Sequence, residues 1–324
     1  MQSAIRFDMR APAFGPATAP ELYRAMLEMA EWADRVGLDG VALSEHHGVE
    51  DGYLPSPIVA AAAIAARTER IPINIAALLL PLHDPLRVAE DLAVADLLSG
   101  GRVSVVLGLG YREVEYEMFG APWTERGAYF DECIQVLLDA WTGEPFQYRG
   151  RTVRVTPRPG STPHPMVFIG GRTKRAARRA ARFDLSFFPD SADPALTEEY
   201  ERSCREEGRE PGFVITPGPR VNNVFVHEDP DNYWERIGPH LLHEARTYRS
   251  WQPQGTDSAT STSATTLDEL RSDDLFMVLR PEEAVAWAQD TGVVLLYPLC
   301  GGIPPDVAWE SLYFFEHTVL PHVS

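Results

Sequence analysis

The residues of this 324-residue chain best suited to acid–base chemistry are Glu45, His46 and His47, which follow directly on the short apolar run DGVALS at Asp39–Ser44. Imidazole titrates near neutrality, so a histidine at the end of a core strand can act as base or acid. The plain alternative is a hydrogen-bonded structural histidine, and position alone leaves both open. A metal site would need further ligands in register, and the spacing supplies none, so no metal ligand is assigned. A second group is Gly170, Gly171, Arg172 and Thr173, between the apolar run MVFI and a helical stretch over Lys174–Phe183. Free backbone N–H groups and the positive end of the helix dipole bind phosphate at such a start. Six of the eleven residues from Arg172 to Arg182 are basic. Arg175, Arg178, Arg179 and Arg182 share a side opposite Ala176, Ala177, Ala180 and Ala181, so the pattern directs these later arginines to water. A third group is LGLGYRE, with Gly108 and Gly110. It lacks the third glycine of a dinucleotide fingerprint and stands late in the chain, so its glycines read as room for a bulky planar ligand to approach.

Such groups need a frame to position them. The chain alternates strand and helix: a strand at 3–9; a helix from Pro20 through Leu22, Met26, Met29, Ala33 and Val36 to a stop at Gly37; the strand Asp39–Ser44; a helix over Pro57–Arg67; the strand INIAALLL; a helix over Leu86–Leu98; and a strand over Val103–Leu109. A long helix at Glu125–Trp141 and a loop or short hairpin over Pro145–Pro165 precede the strand MVFIGG. Then come LSFFP, a helix near Pro194–Glu207, the strands VNNVFV and VVLLY, and a final helix near Asp306–Val319. This is the pattern of parallel strands with crossover helices. About eight β/α units predict one α/β domain over residues 1–324, a (β/α)8 TIM barrel with insertions, with an open doubly wound sheet as runner-up. The polar, low-complexity stretch QGTDSATSTSATT at 254–266 predicts a mobile loop at about 250–275.

Composition limits the function. With 29 Lys+Arg against 47 Asp+Glu, a net charge of -18, the chain lacks the broad basic face of a nucleic-acid binder. Cys133, Cys204 and Cys300 lie far apart without CxxC spacing, which argues against a disulfide scaffold or thiolate zinc site and for a reducing cytoplasm. No run approaches the ~18 apolar residues of a membrane span, and the N-terminus lacks an apolar leader core. The expectation is a soluble cytoplasmic protein.

Taken together, SEHHG at 44–48, IAALLLPLHDPLRVAEDLAVADLLSGGR at 75–102, GYREVEYEMFG at 110–120 and PLCGG at 298–302 closely resemble the bacterial luciferase-like monooxygenases. The resemblance implies a (β/α) barrel that uses reduced FMN or, in a sister branch, a deazaflavin (coenzyme F420). Under it, His46 matches the first histidine of the EHH motif, near the flavin and assisting proton transfer. Ala76 and Ala77 match a pair joined by a non-prolyl cis peptide under the isoalloxazine ring. Arg126 matches a phosphate-binding arginine, and Thr173 a phosphate-binding serine. The chain departs from luciferase in having Gly108 for a cysteine, Leu109 for a phosphate-binding arginine and Arg172 for a glutamate. Light emission is therefore not expected, and the phosphate grip moves from Leu109 towards Arg172. The implied function is a monooxygenase acting with O2 and reduced FMN, the latter supplied by a flavin reductase, on a small organic substrate. The alternatives are a deazaflavin-dependent hydride-transfer enzyme and a non-enzymatic flavin-binding barrel. The substrate would be set by the loops at 49–57 and 245–280. A homodimer is expected through the small-residue helix SPIVAAAAIAA at 56–66.

Overall fold

The computed structural model describes residues 1–217, 222–252 and 261–323. Its contacts divide the chain into two compact units, Met1–Pro55 with Arg220–Ser324, and Ser56–Pro219. The first unit opens with β1 (Gln2–Phe7), α1 (Ala19–Val36) and β2 (Gly40–Leu43), β1 and β2 pairing in parallel. The sequence marks both ends of α1. The Thr18 amide donates to Glu21 at 2.8 Å, and Gly37 stops the helix at φ 83°, a left-handed conformation open to glycine.

The second unit runs α2 (Pro57–Arg67), β3 (Ile73–Leu78), a 3-10 turn at Leu80–Leu82, α3 (Pro85–Ser99), β4 (Val103–Leu107), α4 (Glu113–Phe119) and α5 (Arg126–Trp141). An antiparallel hairpin of β5 (Phe146–Tyr148) and β6 (Arg151–Val153) follows, then β7 (Met166–Gly171), α6 (Lys174–Arg182), β8 (Ser186–Pro189) and α7 (Pro194–Glu206). Its parallel sheet has the order β3-β4-β7-β8. The Gly100-Gly101-Arg102 stretch is structural: the Arg102 guanidinium donates to the carbonyls of Ala65, Thr68, Ile71 and Ser99 at 2.8–3.0 Å, closing the open carbonyl end of α2 against the end of α3.

The chain then returns to the first unit with β9 (Asn223–Val226), α8 (Pro230–Trp251), α9 (Leu267–Arg271), β10 (Phe276–Leu279), α10 (Pro281–Thr291) and β11 (Val293–Leu296). A 3-10 turn at Cys300–Gly302 leads to α11 (Pro305–Phe314), which runs on through a π-turn at Phe315–Val319 into α12 (Leu320–Val323). This unit's parallel strands lie in the order β10-β9-β11-β1-β2.

The described units hold five and four parallel strands, in keeping with the expected alternation of about eight β/α units; α4, α8, α9, β10 and α10 are elements beyond the expected ones, and in the region of α8 to β10 the local signal is weak because β10 is only four residues long and Pro239 interrupts the α8 pattern. Two expectations need correction. Of the loop expected at about 250–275, residues 253–260 lie outside the described residues. The part from 261 on is packed: Thr262 and Ala264 are buried, the Arg249 guanidinium donates to the Thr262 carbonyl at 3.0 Å, and α9 follows at once. Val221, in the expected strand at 221–226, also lies outside the described residues. The second correction is Arg179, which is buried and ion-paired with Asp131 of α5, its guanidinium also donating to the Gly127 carbonyl at 3.2 Å. Its hydrogen-bond partners hold it in the interface between α6 and α5.

Candidate active site

In the second unit, the C-terminal ends of the neighbouring strands β3, β4 and β7 carry Ala76–Ala77, Gly108 and Gly110, and Gly170–Thr173. The structure brings these three sequence groups to one sheet edge, where parallel α/β folds place their ligands. The Ala76–Ala77 peptide is cis, and the β3 register shifts between Ala76 and Leu78. Gly108 packs on this irregularity, its amide donating to the Leu78 carbonyl at 2.8 Å. A Cβ at position 108 would lie 3.0 Å from the Ala77 Cβ, a steric reason for glycine where the resemblance has cysteine. At the end of β7, Gly171 has φ 148° and a Cβ there would lie 2.8 Å from the Ala176 Cβ, so only glycine lets β7 turn into α6. Thr173 is the N-cap of α6, its hydroxyl accepting from the Ala176 amide at 3.2 Å.

Arg126 opens α5 and is held there by aromatic residues. The buried Tyr116 donates its hydroxyl to the Leu109 carbonyl, Trp123 packs edge-on to Tyr116 at 5.1 Å, and the Arg126 guanidinium lies 3.8 Å over the Trp123 ring. Arg126 Nη1 donates to the Trp123 carbonyl at 2.9 Å, while its buried Nε has no hydrogen-bond partner among the described residues. A buried guanidinium nitrogen left unpaired suits an anion that arrives with the ligand. Arg172 is ion-paired with Asp190, just past β8. Burial raises the Asp190 carboxyl above its ordinary range, against the pull of Arg172.

In the first unit, the residues beyond β1 form a buried ionic cluster that the sequence did not single out. Arg10 and Asp8 are fully buried. Arg10 Nε lies 2.5 Å from Glu244 of α8 and 3.7 Å from Asp8, and Nη1 donates to Asp51 at 2.7 Å. The Glu244 contact is an ion pair without hydrogen-bond alignment, and Nη2 has no hydrogen-bond partner among the described residues. The guanidinium also lies 4.7 Å from the Tyr53 ring and 4.8 Å from the Trp251 ring. His243 Nε2 makes a 2.6 Å contact to Asp51. Burial, reinforced by Glu244, pushes the Asp8 carboxyl up to about 6, against Arg10 and the Gly301 amide that donates to it at 2.9 Å.

His46 is 5% exposed and its ring is walled by the same aromatics, with centroids 5.0 Å from Tyr53, 4.7 Å from Trp251 and 6.2 Å from Tyr248. Its neighbours Glu45 and His47 are hydrogen-bonded to each other at 2.7 Å. The residues missed in the sequence are thus Arg10, Asp51, Trp123 and Asp190. Only Arg10 left a signal there, as half of the charged pair Asp8–Arg10 at a strand end.

Residues 5–289 match the family model described as luciferase-like monooxygenase, and the chain belongs to that family. It is 28% identical over 216 residues to the FMNH2-dependent dimethylsulfone monooxygenase of Pseudomonas putida, covering 63% of this chain and 58% of that one. The chain spans about half the length of the curated relatives it matches. Among solved structures it is similar to the monooxygenase RslO1 of Streptomyces bottropensis, with a TM-score of 0.79 and 24% identity over 100% of both chains. It is similar also to an F420-dependent secondary alcohol dehydrogenase, with a TM-score of 0.69 and 16% identity over 100% of this chain and 99% of that one. These likenesses show the fold, the luciferase-like α/β class of parallel strands with crossover helices.

Proposed function

We propose that the protein is a single-domain, cytoplasmic flavin-dependent monooxygenase that takes reduced FMN from a separate flavin reductase and, with O2, oxidises a small organic molecule. The observation that carries this reading is the glycine-lined edge of β3, β4 and β7 with the unpartnered Arg126 Nε beside it. At that edge the small residues Ala76 and Ala77, with Gly108 packed close against Ala77 and Gly110 against Tyr116, suit the approach of a flat ring system. The first free amides of α6, the Thr173 hydroxyl and the Gly170-Gly171-Arg172 turn are suited to a terminal phosphate, with Arg126 as its charged partner. When bound, reduced FMN would supply the two electrons that activate O2, one oxygen atom going to the substrate and the other leaving as water. His46 holds or passes a proton on its ring, and Tyr53, from the loop after β2, with Tyr248 and Trp251, from the last turn of α8 where a loop was expected, keep water from that ring. The three buried free cysteines suit a reducing compartment, and among the described residues no helix is long and apolar enough to cross a membrane.

The test is an anaerobic titration with reduced FMN and, separately, reduced F420, followed by O2 uptake and product formation with a reductase added. Tighter binding of F420 without O2 uptake would replace this reading with hydride transfer, a chemistry that the same fold hosts. Binding without turnover of any substrate would leave a flavin-binding barrel.

The phosphate site gives a separate prediction. Arg126→Ala should weaken FMN by about 1.5–3 kcal/mol, the worth of a charged hydrogen bond, and barely affect riboflavin. Arg172 must part from Asp190 to reach a phosphate, so Arg172→Ala should cost less and Asp190→Asn should tighten FMN. Equal losses for FMN and riboflavin would show that the phosphate lies elsewhere.

A homodimer is part of the proposal. The outward face of α2 carries Ile58, Val59, Ala62, Ala63 and Ala66, with Val59 70% exposed, and ends at the exposed Arg67. Its neighbour α3 adds the exposed Val94, Leu97 and Leu98. An apolar face of this kind on a water-facing helix pair suits a second copy. Light scattering at micromolar concentration should give twice the chain mass, and Val59→Lys should give the monomer; a wild-type monomer would refute the dimer.

A further inference from the structure

The helix α1 has two faces of different character. Leu22, Met26 and Met29 turn into the core, while Glu28, Glu31, Trp32 and Arg35 recur at helical spacing on another side. On α11, Trp309 and Tyr313 stand one turn apart, and the π-turn that follows brings Glu316 into line with them. These seven residues line an open groove of ≈ 400 Å³. Its floor is fixed. Trp32 Nε1 donates to Glu316 at 2.6 Å, Arg35 donates to the same carboxylate at 2.9 Å, and Trp32 meets Trp309 edge to face at 6.1 Å. Arg35 holds the Glu316 carboxyl below its ordinary range, so it stays charged. The rim is open, with Tyr313 58% exposed.

The lining carries the carboxylates of Glu28, Glu31 and Glu316 and the guanidinium of Arg35 beside its rings, so the groove offers acidic as well as aromatic groups. A cation gains from both, lying on the electron-rich face of a ring and beside a carboxylate. We propose that this groove docks a basic segment of a partner protein, a lysine or arginine side chain entering between the rings of Trp309 and Tyr313 and the carboxylates of Glu28 and Glu31. An open groove along two helices suits an extended segment better than an enclosed small ligand. Trp, Tyr and Arg are the residues that dominate interface energetics. The chain's charge of -18 steers a basic partner towards it. The proposal does not depend on the flavin reading.

The test uses the whole protein and two fluorescein-labelled peptides of one length, one alternating lysine with serine and the other glutamate with serine, followed by anisotropy. The lysine peptide should bind at physiological salt and the glutamate peptide should not. The pair Glu28→Gln with Glu31→Gln, and separately the exposed Tyr313→Ala, should each weaken binding about tenfold. The pair Glu113→Gln with Glu117→Gln on α4 removes the same charge elsewhere and should leave binding within about twofold. Absence of binding, equal binding of the two peptides, unchanged affinity in the groove variants, or an equal loss in the α4 pair would each overturn the proposal.

Discussion

His46→Ala is expected to cut turnover of substrate with reduced flavin by about 10²-fold or more, the effect of losing a positioned proton-transfer group. The same change should alter unfolding free energy by only about 1–2 kcal/mol, the ordinary range for a point substitution. The two effects separate because His46 contributes ring contacts to Tyr53 and Trp251, while the buried charges beside it are paired through Arg10. His46→Gln, which keeps a polar side chain but cannot carry a proton near neutral pH, should be nearly as inactive as His46→Ala. Single-turnover rates after mixing substrate with the reduced, flavin-loaded protein would measure this. A fully active His46→Ala enzyme would reduce His46 to a packing residue.

Arg10→Met should destabilise the protein by about 3–5 kcal/mol, the penalty for leaving buried charges without their partner. Asp8, Asp51 and Glu244 all turn towards the one guanidinium, from a strand end, a loop and the helix α8. Methionine fills similar space between Tyr53 and Trp251 but answers none of the three carboxylates. Arg10→Lys should fall between the two, since a single ammonium cannot reach Glu244 and Asp51 together as the forked guanidinium does. Adding Asp8→Asn and Glu244→Gln to Arg10→Met should restore part of the loss by removing the stranded charges. Urea unfolding at pH 7 would measure each step, and a loss below about 1 kcal/mol for Arg10→Met would mean that water, and not Arg10, compensates the cluster.

The elements that position the candidate site were legible where local signals agreed. Pro20 and Gly37 bound α1, the apolar run INIAALLL contains β3, and the glycines of MVFIGG mark the turn from β7 into α6. Between residues 227 and 292 the signals were weak. The helix α8 carries an internal Pro239, and β10 is only four residues long, so periodicity had little on which to register.

The sequence by itself determined the alternation of parallel strands and crossover helices, and with it the strand ends at which Ala76, Gly108, Gly170 and His46 stand. These features follow from side-chain period, chain stiffness and capping, all of which act within a few residues. Only the tertiary structure decided which charges meet. Arg179, which on the helix pattern faced water, is buried against Asp131, 48 residues away; Arg172 is engaged by Asp190; and Arg10 gathers carboxylates from positions 8, 51 and 244. Pairings across such separations leave no local period, because burial of a charge is set by the whole packing around it and not by its neighbours in the chain.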